Sequence, residues 1–321
     1  MKRSWLSWYW TTIVIAVVLL LSLILVAYLE DALNQWNFWR AGLTSPCIII
    51  YILVIYPFMW RLGERAIQAF RPLLSLEENA FNQLVSEINK LNRLREWVAA
   101  LIGAVFWLVL SQPWSWVDQW KDTYGIVTNV IMFGLLGWLI YSSITGSQSL
   151  TRLSSQPLKL DIFDTGQLIP IARSSLGVSL AFIGGISISL IFQTQKNLRE
   201  WNTITIYAVL VLATVLIFFL SMWSVHSAMA GAKRRELALV RKNLVDASCE
   251  LKERAAQGRL QGIKGLSSTI AAWIIYERRV KEAPEWPFNA GIIRRLAASV
   301  LVPGAVYLIK VFSTLGFRFS P

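Results

Sequence analysis

His226 is the only histidine in the chain, and a basic run, Lys233-Arg234-Arg235, begins seven residues after it. A histidine titrates near neutral pH and can serve as a general base, a metal ligand or a pH sensor. The nearest serines, Ser224 and Ser227, point to other faces of a helix at these spacings, so they do not form a Ser–His pair with it. We interpret His226 as a residue at the edge of a membrane helix, with a ligand or pH-sensing role as the alternative.

The remaining groups that could do chemistry are sparse. Asp161 and Asp164 form a DxxD pattern that could contribute to a divalent-ion site, but no further ligands accompany it, and turn formation is the simpler interpretation. The two isolated cysteines form no zinc or redox motif, and the chain has no HExxH, GxSxG, Walker A or dinucleotide motif. The sequence therefore predicts no catalytic residue, no metal, no cofactor and no enzyme activity.

One apolar segment, "SSLGVSLAFIGGISISLIF", carries small and hydroxyl residues at helical spacing. Small residues at spacings of three and four allow helices to approach closely, and hydroxyls can also line a polar path. The candidate pore or helix-packing residues are Gly177, Ser179, Ala181, Gly184 and Gly185. Small residues elsewhere, Ala99, Gly103, Gly134 and Gly137, are expected to meet this helix.

The elements that must position these residues are membrane helices. The chain has 321 residues, of which 55% are hydrophobic and 16% charged, against about 25% charged in an average soluble protein. Six stretches without Lys, Arg, Asp or Glu reach the roughly 20 residues needed to cross a bilayer. The predicted spans are 11–29, 43–60, 98–115, 125–143, 175–193 and 204–223.

The distribution of positive charge predicts the orientation. Of the 31 Lys and Arg residues, 27 fall in segments on the side of the N-terminus and four on the other side. Cytoplasmic segments of membrane proteins carry this excess, so both ends are predicted to be cytoplasmic. Lys233, Arg234 and Arg235 then lie at anionic lipid headgroups or a cytoplasmic vestibule, and the net charge of +12 indicates membrane topology, with no nucleic-acid partner.

Two amphipathic stretches, 61–96 and 237–251, are predicted to be cytoplasmic helices that pack on each other. Ser45 and Pro46 are expected to begin the second span, and Pro57 to kink it. The segment 296–309 is short and broken by Pro303-Gly304, so it is either re-entrant or interfacial, a core helix, or a short seventh span. The six transmembrane helices are predicted in pairs: helices one and two in 1–60, helices three and four in 97–143, and helices five and six in 175–223. Between and after them the cytoplasmic segments are an amphipathic helix in 61–96, a loop in 144–174 with a short extended piece at Leu158–Ile162, and a helical tail in 224–283. The last division, 284–321, is an interfacial, re-entrant or seventh membrane segment.

The fold class predicted is thus an all-α, polytopic helical membrane protein with six transmembrane helices and a cytoplasmic helical layer. We expect it in the inner (plasma) membrane, with the lipid bilayer as one partner and copies of itself as another. The function expected is an oligomeric channel or permeation protein whose basic cytoplasmic vestibule favours anions. The alternative is a membrane scaffold or sensor whose cytoplasmic helices bind a protein partner.

Overall fold

The chain forms a bundle of long helices. The computed structural model describes residues 2–291 except 75–77, 89–92, 116–119, 155–162, 164, 194, 199, 258–262, 285 and 287–290, and after 291 only residues 294, 298, 301, 304 and 305. Within that part of the chain the α-helices are α1 (Lys2–Leu29), α2 (Trp36–Ala69), α3 (Glu78–Ile88), α4 (Arg93–Ser111), α5 (Trp120–Ser154), α6 (Ile169–Phe192), α7 (Gln195–Leu198), α8 (Trp201–Ala256) and α9 (Ile263–Glu282). The all-α prediction is confirmed there.

Six of these helices, α1, α2, α4, α5, α6 and α8, are long and apolar enough to cross a membrane. Each of them overlaps one of the six predicted spans. The outward face of α4 shows why they suit a lipid environment: Leu101, Ile102 and Val109 are each more than 60% exposed. A contiguous apolar surface of this kind is rare on soluble monomers.

Helix α2 occupies the middle of the bundle, where it packs against α1, α5 and α6, while α8 closes the bundle against α5 and α6. Proline at position 57 removes the donor that would bind the carbonyl of Leu53, four residues earlier. The indole N–H of Trp8 on α1 donates to this carbonyl at 2.9 Å. A backbone acceptor that an apolar environment would otherwise penalise is thus satisfied from a neighbouring helix.

The prediction that Ser45 and Pro46 begin the second span is wrong. Helix α2 already begins at Trp36, and both residues lie inside it. The Ser45 hydroxyl donates instead to the side-chain oxygen of Asn129 on α5, at 2.9 Å. An interior proline is tolerated here because neighbouring helices and side chains can compensate for the donor it lacks in a membrane-type bundle.

The predicted helix over 61–96 is interrupted. Helix α2 ends at Ala69, a 3₁₀ turn covers Arg71–Leu73, and separate helices start at Glu78 and Arg93. The apolar stripe of 237–251 pairs with α9 rather than with this segment, since α8 and α9 form an antiparallel hairpin. Val240 at the centre of the stripe and Val280 on α9 are both completely buried.

The predicted loop at 144–174 is largely helical where it is described. Helix α5 continues to Ser154, a 3₁₀ turn covers Thr165–Leu168, and α6 begins at Ile169. The polar residues that suggested a loop lie instead at the end of α5. The extended piece predicted at Leu158–Ile162 lies outside the described residues, as does most of the 284–321 segment.

Candidate functional site

The small-residue seam of α6 packs against α2. A Cβ atom added at Gly177 would collide with the Leu62 side chain, and one added at Gly184 would collide with the Tyr51 hydroxyl. That hydroxyl donates to the Ala181 carbonyl at 2.7 Å, and the Tyr51 ring lies 3.3 Å from the position of a Cβ at Gly185. The seam therefore makes room for two bulky side chains of α2.

The small residues of α4 and α5 meet each other, not α6 as expected. A Cβ at Gly103 would collide with the carbonyl oxygen of Phe133, and one at Gly137 with the carbonyl oxygen of Ala99. A Cβ at Gly134 would lie 3.4 Å from the Ala100 carbonyl oxygen. These contacts are with backbone atoms, which cannot rotate away, so the two helices depend on glycine for their separation.

Ser179 lies in the interior of the bundle. Its exposure is 0%, and its hydroxyl has no hydrogen-bond partner in the described structure. The neighbouring Ser175 satisfies its own hydroxyl by donating to the Ile171 carbonyl at 3.2 Å. Neither of the two cavities described next includes Ser179 in its lining.

The first cavity, of about 110 Å³, lies among α2, α5 and α6 at the end of the bundle where α5 finishes and α6 begins. We call it the hydroxyl cavity because seven serine and threonine residues contribute to its lining. They are Ser142, Ser143, Thr145, Ser147, Ser149, Ser174 and Ser175. The rest of the lining consists of Tyr56, Met59, Trp60, Gly63, Glu64, Ile67, Leu139, Gly146, Leu150 and Val178. Glu64 is thus the one charged residue among these described lining residues.

Several hydroxyls of this cavity donate their protons to their own helix. On α5, Ser143 donates to the Leu139 carbonyl at 2.8 Å, and Thr145 and Ser149 follow the same four-residue pattern. A hydroxyl carries one hydrogen and two lone pairs. A hydroxyl that gives its hydrogen to the backbone can therefore only accept a hydrogen bond from a solute, or bind a cation.

The carboxylate of Glu64 is held in place by its own helix. The indole N–H of Trp60, one turn earlier, donates to its Oε1 atom at 2.9 Å. Charge-neutral donors of this kind fix the position of a carboxylate without cancelling its charge. The hydroxyl cavity therefore combines hydrogen-bond acceptors with one negative group.

The second cavity, of about 210 Å³, lies at the opposite end of the bundle and is lined by residues of α2, α4, α5, α6, α7 and α8. We call it the amide cavity because Asn129, Gln193 and Asn197 belong to its lining, together with the hydroxyls of Thr44, Tyr51, Ser189, Thr203 and Tyr207. Aromatic and aliphatic residues, among them Trp107, Phe133, Ala181, Phe182 and Gly185, form its floor and walls. Two of the predicted candidates, Ala181 and Gly185, thus line this cavity, whereas Gly177 and Gly184 pack against α2.

The two cavities share one lining residue, Leu139 on α5. Leu139 is 3% exposed and belongs to an apolar cluster with Met59, Ala181 and Phe182. The cavities therefore approach each other end to end, with a packed apolar layer between them. A hydrophobic constriction between two wetted spaces is one of the ways in which channels close.

Arg40 joins α2 to the end of α6 beside the amide cavity. Its Nε donates to the Phe192 carbonyl at 3.0 Å and its Nη2 to the Gln193 carbonyl at 2.8 Å. The last carbonyls of a helix lack intrahelical donors and carry partial negative charge. The Arg40 guanidinium supplies both the missing donors and a positive charge, and it holds the backbone of Gln193, which lines the cavity.

The basic run divides between two roles. The Lys233 ammonium donates to the carbonyls of Lys281 and Ala283, at 2.8 and 2.9 Å, and so caps the end of α9. Arg234 and Arg235 are exposed, and their contact with lipid headgroups remains a prediction. His226 stacks on Trp286, with ring centroids 4.0 Å apart and an interplanar angle of 12°.

Among the described residues no group of three or more His, Cys, Asp or Glu side chains is placed to hold a metal ion. Asp161 and Asp164 lie outside the described residues, so the DxxD prediction stays as it was.

Sequence reasoning missed Glu64, Leu139 and the hydroxyls of α5. The available signal was the run "YSSITGSQSLT" over 141–151, in which six of the eleven residues are serine or threonine. Its polarity suggested a loop, but its spacing also places hydroxyls on every face of a helix. Comparison with protein-family models, with curated proteins and with solved structures finds no match for this chain.

Proposed function

We propose that this protein is a multipass protein of the inner (plasma) membrane that lets a small polar solute pass through each subunit. The path we infer runs from the hydroxyl cavity, past Leu139, into the amide cavity. The observation that carries the proposal is that two cavities with polar groups in their linings share one buried apolar residue, Leu139, inside a bundle of six membrane-length helices. The path lies within one copy of the chain, so assembly of several copies is an additional proposal that permeation does not require.

The direction of the path follows from the charge distribution. The end with the hydroxyl cavity also carries the basic residues of the α8–α9 hairpin, and segments rich in Lys and Arg stay in the cytoplasm. The hydroxyl cavity then faces the cytoplasm and the amide cavity faces the exterior. No role as an enzyme is proposed.

The experiment is a flux assay on the purified protein in liposomes. Halide, potassium, methylammonium and glycerol would be tested in parallel. The basic surface predicts a preference for anions, whereas the polar groups in the cavity linings also suit cations and uncharged polar solutes. Flux of at least one solute above that of empty liposomes supports the proposal. Flux equal to that of empty liposomes for all four, with intact folded protein, contradicts it.

A second function, that of a scaffold, is favoured by a separate observation. The hairpin of α8 and α9 exposes four large apolar side chains: Leu239, Val245, Ile274 and Ile275 are between 52% and 69% exposed. Exposed apolar surface outside a membrane marks interaction sites. Replacing Ile274 and Ile275 by serine should shrink the complex extracted from native membranes if the hairpin binds a partner, and leave its size unchanged if it does not.

A further inference from the structure

The hydroxyl cavity differs in the sign of its charge from the surface expected to surround it. Glu64 is the one charged residue in the described lining, whereas the cytoplasmic surface expected to surround the cavity is rich in Lys and Arg. Ser143, Thr145 and Ser149 have committed their hydrogens to α5, so they offer lone pairs only. A solute that enters this cavity thus meets acceptors and a negative charge.

Two aromatic rings share the cavity lining with the carboxylate. Tyr56 and Trp60 both line the cavity, and their ring centroids are 6.4 Å apart. The face of an aromatic ring attracts a cation within about 6 Å. A carboxylate, hydroxyl oxygens and aromatic rings in one lining together match an organic ammonium group, whose N–H groups donate hydrogen bonds and whose charge is attracted by aromatic rings.

The structure assigns the hydroxyl cavity as a binding site for a small organic ammonium cation, with Glu64 as its counter-ion. This inference rests on the proposed function, because it names the solute class of the same cavity. The cavity volume of about 110 Å³ holds a small ammonium ion with some water, since a single water needs about 10–15 Å³ on this scale. The Trp60 N–H binds Oε1 of Glu64 and leaves Oε2 as an acceptor for the ligand.

The test is calorimetric titration of the full-length protein in detergent with methylammonium chloride, and with potassium chloride for comparison. We expect methylammonium to bind more tightly than potassium. Glu64→Gln keeps the shape and the acceptor for Trp60 but removes the charge, and it should weaken methylammonium binding at least about tenfold. Glu78→Gln is the matched control, because Glu78 lies on α3 in an exposed ion pair with Arg71, and it should bind as the wild type does.

A second variant keeps the site testable if Glu64→Gln does not fold. Trp60→Leu keeps Glu64 but removes one ring, so it should lower the affinity for methylammonium more than that for potassium. Equal methylammonium affinity in the wild type and Glu64→Gln, an equal loss in Glu78→Gln, or binding that follows the anion of the salt would overturn the ammonium site. So would a Trp60→Leu protein that discriminates between the two cations as the wild type does.

Binding and permeation fail separately. Methylammonium binding that depends on Glu64, without flux of any solute, would overturn the permeation proposal and keep the site. Flux that Glu64→Gln leaves unchanged, together with no methylammonium binding, would overturn the site and keep the permeation proposal.

Discussion

Leu139→Ala would shorten the side chain that lines both the hydroxyl cavity and the amide cavity. Leu139 is 3% exposed, so nearly its whole side chain is packed against other atoms of the bundle. Burial of a leucine side chain is worth about 2 kcal/mol. If wetting of the constriction becomes easier by that amount, flux should rise roughly thirty-fold, since about 1.4 kcal/mol corresponds to a factor of ten.

The same substitution should also lower the free energy of unfolding. Truncation of a buried leucine to alanine costs about 2–5 kcal/mol, so a change in flux could follow from general loosening of the bundle. Leu23→Ala is the control for this effect. Leu23 on α1 is completely buried, lies against Gly42 and lines neither cavity.

The assay compares solute flux into liposomes for the wild type and the two variants, with the thermal midpoint of each measured in parallel. We expect both variants to unfold at lower temperature, and Leu139→Ala alone to conduct faster. A Leu139→Ala protein that is folded but conducts no faster than the wild type would refute the assignment of Leu139 as the barrier. Equal acceleration by Leu23→Ala would refute it as well, because the increase would then come from loosening.

Three further predictions concern the packing, the hairpin and the orientation. Gly137→Ala should lower the free energy of unfolding by about 1–3 kcal/mol, because the added Cβ would collide with the backbone of α4. The control, Gly125→Ala, places its Cβ in open space and should be neutral or stabilising. Equal thermal midpoints for the two variants would contradict this packing. Hydrogen bonding from Lys281, and to a lesser extent from Arg241, holds the pKa of Glu277 below its ordinary value of 4.5, so the ion pairs stabilise the hairpin above that value and are lost as the pH falls through the lowered pKa. The difference in thermal midpoint between the wild type and Glu277→Gln should therefore shrink at acid pH. A difference that does not change with pH would contradict a stabilising role for these ion pairs. In sealed cells a membrane-impermeant maleimide should label a Glu200→Cys protein but leave the native, exposed Cys249 unlabelled, and the reverse pattern would contradict the proposed orientation.

The helices were predictable because each depends on local composition. An uninterrupted apolar stretch has to satisfy its own backbone hydrogen bonds in lipid, so the existence and approximate position of six long helices follow from residue type alone. The ends were less predictable. Ser45-Pro46 has the composition of a helix start, yet it lies inside α2. There the Ser45 hydroxyl donates a hydrogen bond to Asn129 on α5.

The site was only partly predictable. Small residues at helical spacing predict close helix packing, but the sequence does not say which partner each seam meets. Gly177 and Gly184 meet α2, whereas Gly103 and Gly137 meet each other. The choice depends on the rotation of each helix about its own axis, which side chains on several helices determine together.

The sequence by itself determined which segments can enter a membrane and which ends carry the positive charge, because transfer into lipid is close to a sum over residues. The tertiary structure alone decided where the interior is polar. Glu64 resembles any charged residue after an apolar stretch until α5 and α6 bring hydroxyls around it, and Leu139 resembles any apolar residue of α5 until a cavity lies on either side. Lys233 likewise resembles a lipid-facing charge until the end of α9 supplies two carbonyls for it. Each of these roles arises from groups distant in sequence, and only packing brings them into contact.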